Sequence, residues 1–223
     1  MSAPPGASAT RAVLFDLDGT LLDSVPLILD SFRHTFERHG IARPDTARLM
    51  YGLGIPLRSY FGEWVTEPDR IEAMIATYRE FNLAHHDEAV SAFPGAADMV
   101  RAVRAGGRRT AIVTSKNRAA TERGLRCIGL LDAIDAIVSC DDVTRPKPDR
   151  EPVDKAVAQL DVEAGTALFV GDSLHDLASG RAAGVRTAAA LWGPFDRAHL
   201  ESGAPDYWLE QPRDLLALLN DRR

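Results

Sequence analysis

The sequence predicts an α/β fold, in which a parallel β-sheet with crossover helices carries an inserted helical module. An apolar run that begins at Ala12 has the character of a buried strand. From Phe93 to the C-terminus, short apolar runs alternate with helical patterns, as strands and crossover helices do in a parallel sheet. Residues 41–91, by contrast, show helical spacing without the period-2 alternation of strands. We therefore expect a sheet domain and a separate helical module.

The first strand leads into a predicted helix at the start of this module. Ser24 is placed to cap the helix, Pro26 lies in its first turn, and Gly40 marks its end. A later helix carries one apolar stripe, made of Ile71, Met74, Ile75 and Tyr78.

The second part of the chain is expected to supply the rest of the sheet. Its predicted strands are residues 109–113, 136–139, 167–172, 186–191 and 206–209. Helices are predicted at residues 117–129, 151–160 and 174–183, together with one that ends at Gly106 and one at the C-terminus. This alternation is typical of a parallel sheet with crossover helices.

Composition and charge narrow the class of function. The 223 residues are 45% hydrophobic, which is ordinary for a globular chain that buries a sizeable core. The formal net charge is −6 and the basic residues are scattered, so neither nucleic acid nor a membrane is expected as a partner. Cys127 and Cys140 lack the spacing of a disulfide framework or a metal site, and we expect both to be reduced in a cytoplasmic protein.

The N-terminal segment carries no pattern of a targeting signal. Residues 1–10 are expected to form a flexible tail, and no later run is long and apolar enough to span a bilayer. The sequence leaves both a monomer and a dimer open.

Two carboxylates, Asp16 and Asp18, stand one residue apart where the first strand ends. The chain leaves the strand at Asp16, and Gly19 gives the turn its backbone freedom, so both acids can reach one cleft. Two desolvated carboxylates repel each other unless a divalent cation or a shared proton neutralises them. A metal site is therefore the first hypothesis.

Other predicted strands also end in polar groups. These are Thr114 and Ser115, Lys147 in a following loop, and Asp172 with Asp176. Ligands of open parallel sheets bind at the carboxyl ends of the strands, so we expect these groups to converge there. Carboxylates with a lysine and a hydroxyl, and no histidine beside a serine or cysteine nucleophile, favour phosphoryl transfer over acyl transfer.

The order and spacing of these groups resemble the haloacid dehalogenase-like superfamily. The four motifs of its phosphatases are seen here as Asp16-Leu17-Asp18-Gly19-Thr20, Thr114 or Ser115, Lys147-Pro148 and Gly171-Asp172-Ser173-Leu174-His175-Asp176. The dehalogenases lack the second aspartate of the first motif, so Asp18 points to phosphoryl chemistry. The resemblance implies a Rossmann-like catalytic core of residues 11–23 and 92–223, and a helical cap domain of residues 24–91.

The same resemblance implies a Mg²⁺-dependent phosphohydrolase that acts on a small phosphorylated substrate through an aspartyl phosphate. Asp16 would be the nucleophile and Asp18 the general acid and base, with Thr114 and Lys147 as further catalytic residues. The implied metal ligands are Asp16, the backbone carbonyl of Asp18, and Asp172, with Asp176 in an outer position or acting through water. The expected substrate-binding residues are Thr20, Ser115, Lys116 and Arg58. Arg58 is a lone cation after a glycine-containing loop, and it either meets an anionic ligand or is a solvated arginine after a turn.

More of the chain, including the cap, resembles a bacterial inorganic pyrophosphatase branch close to the phosphoglycolate phosphatases. That resemblance lies in residues 78–88, 114–116, 141–144, 147–149 and 151–153. Arg150, in place of a usual proline, and Ser173-Leu174 depart from it. Pyrophosphate and phosphoglycolate are thus the expected substrates. The pair His85-His86 either faces the cleft or forms hydrogen bonds at a hinge.

Two alternatives remain open. A sugar phosphomutase of the β-phosphoglucomutase type would use the same aspartates but return the phosphoryl group to its product, so release of phosphate from a hexose phosphate separates the two. A non-catalytic binding module on the same fold would release no phosphate from a generic aryl phosphate with Mg²⁺.

Overall fold

The computed structural model describes residues 9–220, which contain eight strands and ten α-helices besides short 3-10 turns. The strands are β1 (Ala12–Phe15), β2 (Leu22–Asp23), β3 (Ser91–Ala92), β4 (Arg109–Val113), β5 (Ala136–Val138), β6 (Ala167–Gly171), β7 (Arg186–Ala190) and β8 (Tyr207–Leu209). The helices are α1 (Val25–Arg38), α2 (Thr46–Tyr51), α3 (Leu57–Gly62), α4 (Pro68–Ala89), α5 (Ala96–Ala105), α6 (Arg118–Cys127), α7 (Glu151–Gln159), α8 (Leu174–Ala182), α9 (Arg197–Leu200) and α10 (Arg213–Asn220). The tail predicted for residues 1–10 lies outside the described residues, apart from its last two.

Six of the strands form one parallel sheet in the order β5-β4-β1-β6-β7-β8. Its central strand is β1, whose Phe15 lies opposite Ile112 of β4 and Val170 of β6. Because these strands are parallel and in this register, the residues that follow β1 and β6, Asp16 and Asp172, reach the same edge of the sheet. The predicted α/β fold with a parallel sheet is confirmed.

The sheet is buried on both faces. Val13 and Phe15 belong to the apolar cluster on one face, and Ala12 and Leu14 to the cluster on the other. Side chains of a strand alternate between its faces, so a sheet covered by helices on both sides needs apolar residues at every position. This requirement explains why the core strands are continuous apolar runs in the sequence.

Helices α1 to α4 enclose an apolar cluster of their own. Its largest aromatic members are Phe32, Phe36, Tyr60, Phe61 and Tyr78. The ring centroid of Phe32 lies 4.6 Å from that of Tyr60 and 5.1 Å from that of Tyr78. A cluster of this kind gives the helices an apolar centre separate from the sheet. The domain bounds given above, with the cap at residues 24–91, stay a prediction.

Two local features differ from the sequence expectation. Strands β2 and β3 pair antiparallel, with Leu22 opposite Ala92, where the helices of the cap join the sheet. Strands of two residues are too short to produce a periodic pattern, which is why they were not predicted. Ser24 does begin α1, but its side chain forms no capping bond and its hydroxyl donates to Asp18 at 2.5 Å.

Two further expectations concern membranes and thiols. Over residues 9–220, no helix combines the length and the apolar character needed to cross a bilayer. Cys127 and Cys140 are both free thiols, and Cys127 is exposed.

Candidate active site

Three buried carboxylates meet at the carboxyl edge of the sheet. Asp16 follows β1, Asp172 follows β6, and Asp176 lies in the first turn of α8. One carboxylate oxygen from each residue lies within 4.8 Å of those from the other two. All three residues are at most 5% exposed. A buried set of oxygen donors like this one suits a hard divalent cation such as Mg²⁺.

Lys147 contacts two of these carboxylates. Its Nζ donates to Asp16 Oδ1 at 3.0 Å, to Asp176 Oδ1 at 2.6 Å and to the carbonyl oxygen of Val113 at 3.2 Å. The side chain of Lys147 is only 2% exposed. Three of the acids that were expected to converge therefore lie together with this lysine.

Burial changes the protonation of this cluster. It raises the pKa of Asp16 to about 7, an effect that Lys147 opposes and the charges of Asp176 and Asp18 increase. It also raises the pKa of Asp172 well above its usual value, and the charge of Asp16 adds to this. Burial disfavours the ammonium of Lys147, but the carboxylates that it contacts outweigh burial and raise its pKa. The ionised carboxylates therefore carry more negative charge than the single positive charge of Lys147 neutralises, and a further cation would stabilise the cluster.

The turn after β1 supports the side chain of Asp172 through a hydrogen bond and a close backbone contact. Thr20 Oγ1 donates to Asp172 Oδ1 at 2.6 Å, and Trp192 Nε1 donates to the carbonyl oxygen of Thr20 at 2.8 Å. Gly19 has a φ of 87°, and a Cβ at this position would lie 2.5 Å from Asp172 Oδ2, so the close approach requires glycine. Thr20 was predicted to bind substrate, but the structure buries it completely and its side chain does not line the cavity.

Asp18 lies beside the cluster and has different partners. Its Oδ1 accepts hydrogen bonds from Ser24 Oγ at 2.5 Å and from Lys116 Nζ at 2.6 Å. Its Oδ2 has no partner among residues 9–220, and the side chain is 20% exposed toward the cavity. The carboxylate of Asp18 is not part of the acidic cluster, and the metal role implied for its backbone carbonyl stays a prediction. Lys116, predicted to bind substrate, is paired with Asp18.

Thr114 and Ser115 follow β4 and use their hydroxyls differently. Thr114 Oγ1 accepts the backbone N–H of Lys116 at 3.1 Å, which leaves its own hydroxyl hydrogen available on the cavity wall. Ser115 Oγ donates to the carbonyl oxygen of Gly54, in the loop before α3, at 2.7 Å. Ser115, predicted to bind substrate, thus also connects the sheet domain to the helices above it.

A cavity of about 780 Å³ lies between the carboxyl edge of the sheet and helices α1, α3 and α4. The catalytic candidates Asp16, Asp18, Thr114 and Lys147 line its floor. The wall formed by the helices is largely apolar and includes Val25, Ile28, Phe32, Leu53, Ile55, Leu57, Ile75 and Leu83. The reacting groups thus face a space large enough for a small molecule.

Arg58 and the histidine pair occupy three different settings. Arg58, in α3, lines the cavity and forms an ion pair with Glu72 of α4. His85 is exposed, bonds a backbone carbonyl one turn earlier and is not on the cavity wall. His86 is buried on that wall, its Nδ1 lies 2.8 Å from Asp87 Oδ1, and its Nε2 has no partner among the described residues. Only His86 of the pair therefore faces the cleft.

Among the residues that helix α4 brings to the cavity are Tyr78, Arg79 and Asn82, which the sequence analysis did not assign to the site. Tyr78 packs in the apolar stripe as predicted but also lines the cavity, and burial together with the charge of Asp18 raises the pKa of its phenol. Asn82 Nδ2 donates to Ser31 Oγ at 3.1 Å. The available signal was their helical spacing relative to Ile75, which also describes ordinary packing.

Known proteins resemble the chain over nearly its whole length. The family model described as haloacid dehalogenase-like hydrolase matches residues 13–190. Pyrophosphatase PpaX of Bacillus cereus (strain G9842) is 39% identical over 211 residues, which cover 95% of this chain and 97% of that protein. Pyrophosphatase PpaX of Anoxybacillus flavithermus is 38% identical over 209 residues, covering 94% of this chain and 96% of that protein. A crystal structure described as "putative phosphoglycolate phosphatase" from Lactobacillus plantarum superposes with a TM-score of 0.85 at 26% identity, covering 95% of this chain and 100% of that one.

Proposed function

The chain belongs to the haloacid dehalogenase-like hydrolase family, and on this basis we propose that it is a Mg²⁺-dependent phosphohydrolase that cleaves a small phosphorylated metabolite through an aspartyl phosphate. Its relatives are phosphatases, so the chain is a phosphatase and not a non-catalytic module on the same fold. One observation carries the proposal: Asp16, Asp172 and Asp176 lie together around Lys147 on the floor of a cavity.

Asp16 is the nucleophile in this proposal. Lys147 holds its Oδ1 at 3.0 Å, while Oδ2 has no partner among residues 9–220. The bond from Asp16 to phosphorus forms as the bond from phosphorus to the leaving oxygen breaks, which produces the aspartyl phosphate. The ammonium of Lys147 balances negative charge on both the carboxylate and the phosphoryl group.

The acidic cluster fits Mg²⁺, because it offers oxygen donors only and burial raises the pKa of Asp16 and of Asp172, so that a bound cation would favour their charged forms. Asp16, Asp172 and the backbone carbonyl of Asp18 would hold the ion. Both oxygens of Asp176 are engaged, since Oδ2 accepts from the N–H and the hydroxyl of Ser173 at 3.0 and 2.6 Å and Oδ1 accepts from a lysine. Asp176 therefore acts from an outer position. Mg²⁺, when bound, supplies positive charge that stabilises the transferring phosphoryl group.

Asp18 acts first as general acid and then as general base. Ser24 and Lys116 fix its Oδ1, which leaves Oδ2 to exchange protons with the reacting groups. Oδ2 first gives a proton to the leaving oxygen and later takes one from the water that attacks the aspartyl phosphate. That attack releases phosphate and restores the carboxylate of Asp16.

Thr114 positions the phosphoryl group. Its hydroxyl accepts a backbone N–H, so its single hydrogen is free to donate to a phosphoryl oxygen. We assign pyrophosphate and phosphoglycolate as the two leading substrates, because the curated relatives are named pyrophosphatases and a structural relative is described as a "putative phosphoglycolate phosphatase".

A phosphate-release assay with Mg²⁺ tests the proposal. The wild type should release phosphate from pyrophosphate, from phosphoglycolate or from both, and Asp16→Asn should abolish release. Asp98→Asn, an exposed change in α5 far from the cavity, is the matched control and should keep full activity. Substantial release by Asp16→Asn would refute the assignment of the nucleophile.

The assay also separates hydrolysis from phosphoryl return. A phosphatase releases inorganic phosphate from a substrate in proportion to its consumption, whereas a sugar phosphomutase converts a hexose phosphate into its isomer without net release. Conversion of hexose phosphate without phosphate release would replace the proposed function with the mutase alternative.

A further inference from the structure

Five cationic side chains line the active-site cavity: Arg58, Arg79, Lys116, Arg123 and Lys147. Each of them is a possible partner for an anionic substrate, but a cation already paired with a carboxylate at close range is partly neutralised. Whether each cation is already paired with a carboxylate therefore decides where the cavity can bind an additional anionic group.

Four of the five cations are paired. Lys147 contacts Asp16 and Asp176, and Lys116 contacts Asp18 at 2.6 Å. Arg58 pairs with Glu72, and Arg123 makes two contacts with Asp87, at 2.8 and 2.9 Å. The lysines belong to the reacting centre, and the two arginines are held by acids of α4.

Arg79 is the exception. No carboxylate, carbonyl or hydroxyl oxygen among residues 9–220 forms a hydrogen bond or ion pair with its guanidinium, although the side chain lines the cavity. Arg79 follows Tyr78 in α4 and precedes Asn82 by three residues, so it belongs to the part of the helix that faces the sheet domain. Five N–H donors are thus available on the cavity wall.

Arg79 and Cys140 line the same cavity, Arg79 from α4 and Cys140 from the segment after β5. Burial and the neighbouring Asp141 raise the pKa of the Cys140 thiol to about 11, and the positive charge of Arg79 opposes this shift. Cys140 lies after β5 on the opposite wall, so Arg79 lies within electrostatic range of both walls. A ligand that spans the cavity from its floor would pass this group.

The size and the lining of the cavity explain why an unpaired arginine affects which substrates bind. A volume of about 780 Å³ falls in the range of about 300–1,000 Å³ of small-molecule sites, so it accommodates a leaving group as well as a phosphoryl group. The wall formed by Ile28, Phe32 and Ile75 offers no charge to an anionic leaving group. A charge buried there without a partner would be strongly disfavoured, and Arg79 is the cation available to pair with it.

We propose that Arg79 selects substrates whose leaving group carries a second anionic group, a carboxylate or a phosphate, which its guanidinium binds across the cavity from Asp16. The inference rests on the proposed phosphohydrolase function and narrows its substrate class. Pyrophosphate and phosphoglycolate share this chemistry, whereas a simple aryl phosphate lacks it.

Steady-state kinetics of Arg79→Met on three substrates with Mg²⁺ test the proposal. Loss of a hydrogen-bonded ion pair should lower kcat/KM for phosphoglycolate and for pyrophosphate by roughly tenfold to a hundredfold. The same variant should leave kcat/KM for para-nitrophenyl phosphate close to the wild-type value. Comparison of the losses for phosphoglycolate and for pyrophosphate shows whether Arg79 binds a carboxylate, a phosphate or both.

Two further variants make the result specific. Arg70→Met removes another arginine of α4 that is exposed and does not line the cavity, and it should change none of the three reactions. Arg79→Lys keeps the charge but not the planar set of donors, and it should recover part of the lost kcat/KM. The thermal unfolding midpoints of Arg79→Met and the wild type should agree.

The outcomes distinguish this inference from the function on which it rests. If the wild type is active and Arg79→Met lowers all three reactions by one factor, or lowers none, the inference is overturned while the phosphohydrolase stands. If the wild type releases no phosphate from any of the three substrates, the proposed function fails and the inference fails with it.

Discussion

Replacement of Lys147 by methionine removes the ammonium that contacts Asp16 and Asp176 and keeps a side chain of similar length. The lysine is almost completely buried, so the two carboxylates cannot turn to water instead. The variant therefore measures how strongly the acidic cluster depends on this cation in the absence of a metal ion.

Two distances set the size of the effect. Lys147 Nζ lies 3.0 Å from Asp16 Oδ1 and 2.6 Å from Asp176 Oδ1. At an effective dielectric constant of about 20, each attraction amounts to roughly 5 to 6 kcal/mol before desolvation is counted. Desolvation offsets most of this, and removal of one partner of a buried pair costs about 3 to 5 kcal/mol of unfolding free energy. For a chain of this size that loss lowers Tm by roughly 6 to 20 °C.

The loss should also depend on pH. Burial raises the pKa of Asp16 from 3.8 to about 7, so between these values the folded state binds more protons than the unfolded state and loses stability as the pH rises. The pKa of Lys147 is raised above 10.5, so the lysine stays charged throughout this window and its contribution is fully present there. Without the lysine, which lowers the pKa of Asp16, that pKa should rise further, so the folded state keeps losing stability over a wider range as the pH rises, and the deficit should be larger at about pH 8 than at about pH 5.5.

Thermal and urea unfolding in the presence of a chelator check this prediction. Lys155→Met is the matched control, because Lys155 also contacts a carboxylate, Glu151 at 2.8 Å, but its side chain is 42% exposed. A partly exposed pair of this kind contributes about 1 kcal/mol or less. Equal losses in the two lysine variants, or a deficit in Lys147→Met that shrinks as the pH rises, would refute the reasoning.

Three other predictions concern the metal, its support and the acid-base residue. The gain in Tm from Mg²⁺ should be larger at about pH 8 than at about pH 6, because protons must leave Asp16, whose pKa burial raises to about 7, before the cation binds; equal gains would contradict this. Thr20→Val removes the 2.6 Å hydrogen bond to Asp172 and should raise the Mg²⁺ concentration for half-maximal activity by roughly tenfold or more. Thr20→Ser keeps a hydroxyl and should restore the wild-type concentration. A fall in the activity of Thr20→Val that excess Mg²⁺ does not rescue would count against a role of Thr20 in metal binding. Lys116→Met frees Asp18 Oδ1 and should lower kcat by about tenfold or more in steady-state assays, whereas Lys155→Met should not; an unchanged kcat in Lys116→Met would remove Lys116 from the account.

The sheet and the ends of its strands were predictable from the sequence for a physical reason. A strand buried on both faces needs an unbroken apolar run, and a polar group directly after such a run lies at the sheet edge, as Asp16 and Asp172 do. Strand order was not needed to predict convergence, because all parallel strands of one sheet deliver their carboxyl ends to the same edge.

The hydrogen-bond partners of Thr20 and Ser24 could not be predicted from strand ends and local patterns. Thr20 bonds Asp172, a partner 152 positions away, and nothing local to the first motif indicates that its hydroxyl faces the interior rather than the cavity. Ser24 precedes a helix, where its hydroxyl oxygen is usually expected to accept a backbone N–H, but the structure instead has this hydroxyl donating to the carboxylate of Asp18.

The cavity wall was also hidden in the sequence. Tyr78 and Arg79 are neighbours in a long helix, and helical spacing alone assigns Tyr78 to packing and Arg79 to solvent. In the structure Tyr78 is buried and Arg79 is exposed, as that spacing predicts, but both also line the cavity. Which faces of α4 meet the sheet domain is decided by how the helices pack above it, and this depends on contacts between distant segments such as Ser115 and Gly54.

The central claim is that Asp16 forms the aspartyl phosphate. Tandem mass spectrometry of the Asp18→Asn variant, after brief reaction with Mg²⁺ and a substrate that the wild type hydrolyses, tests this claim most directly. With para-nitrophenyl phosphate as that substrate, we expect one phosphoryl group on Asp16, because the nitrophenolate leaves without a proton from residue 18 while the water that should resolve the intermediate lacks its base. A phosphoryl group on another residue, or none on Asp16 while phosphate is still released, would contradict it.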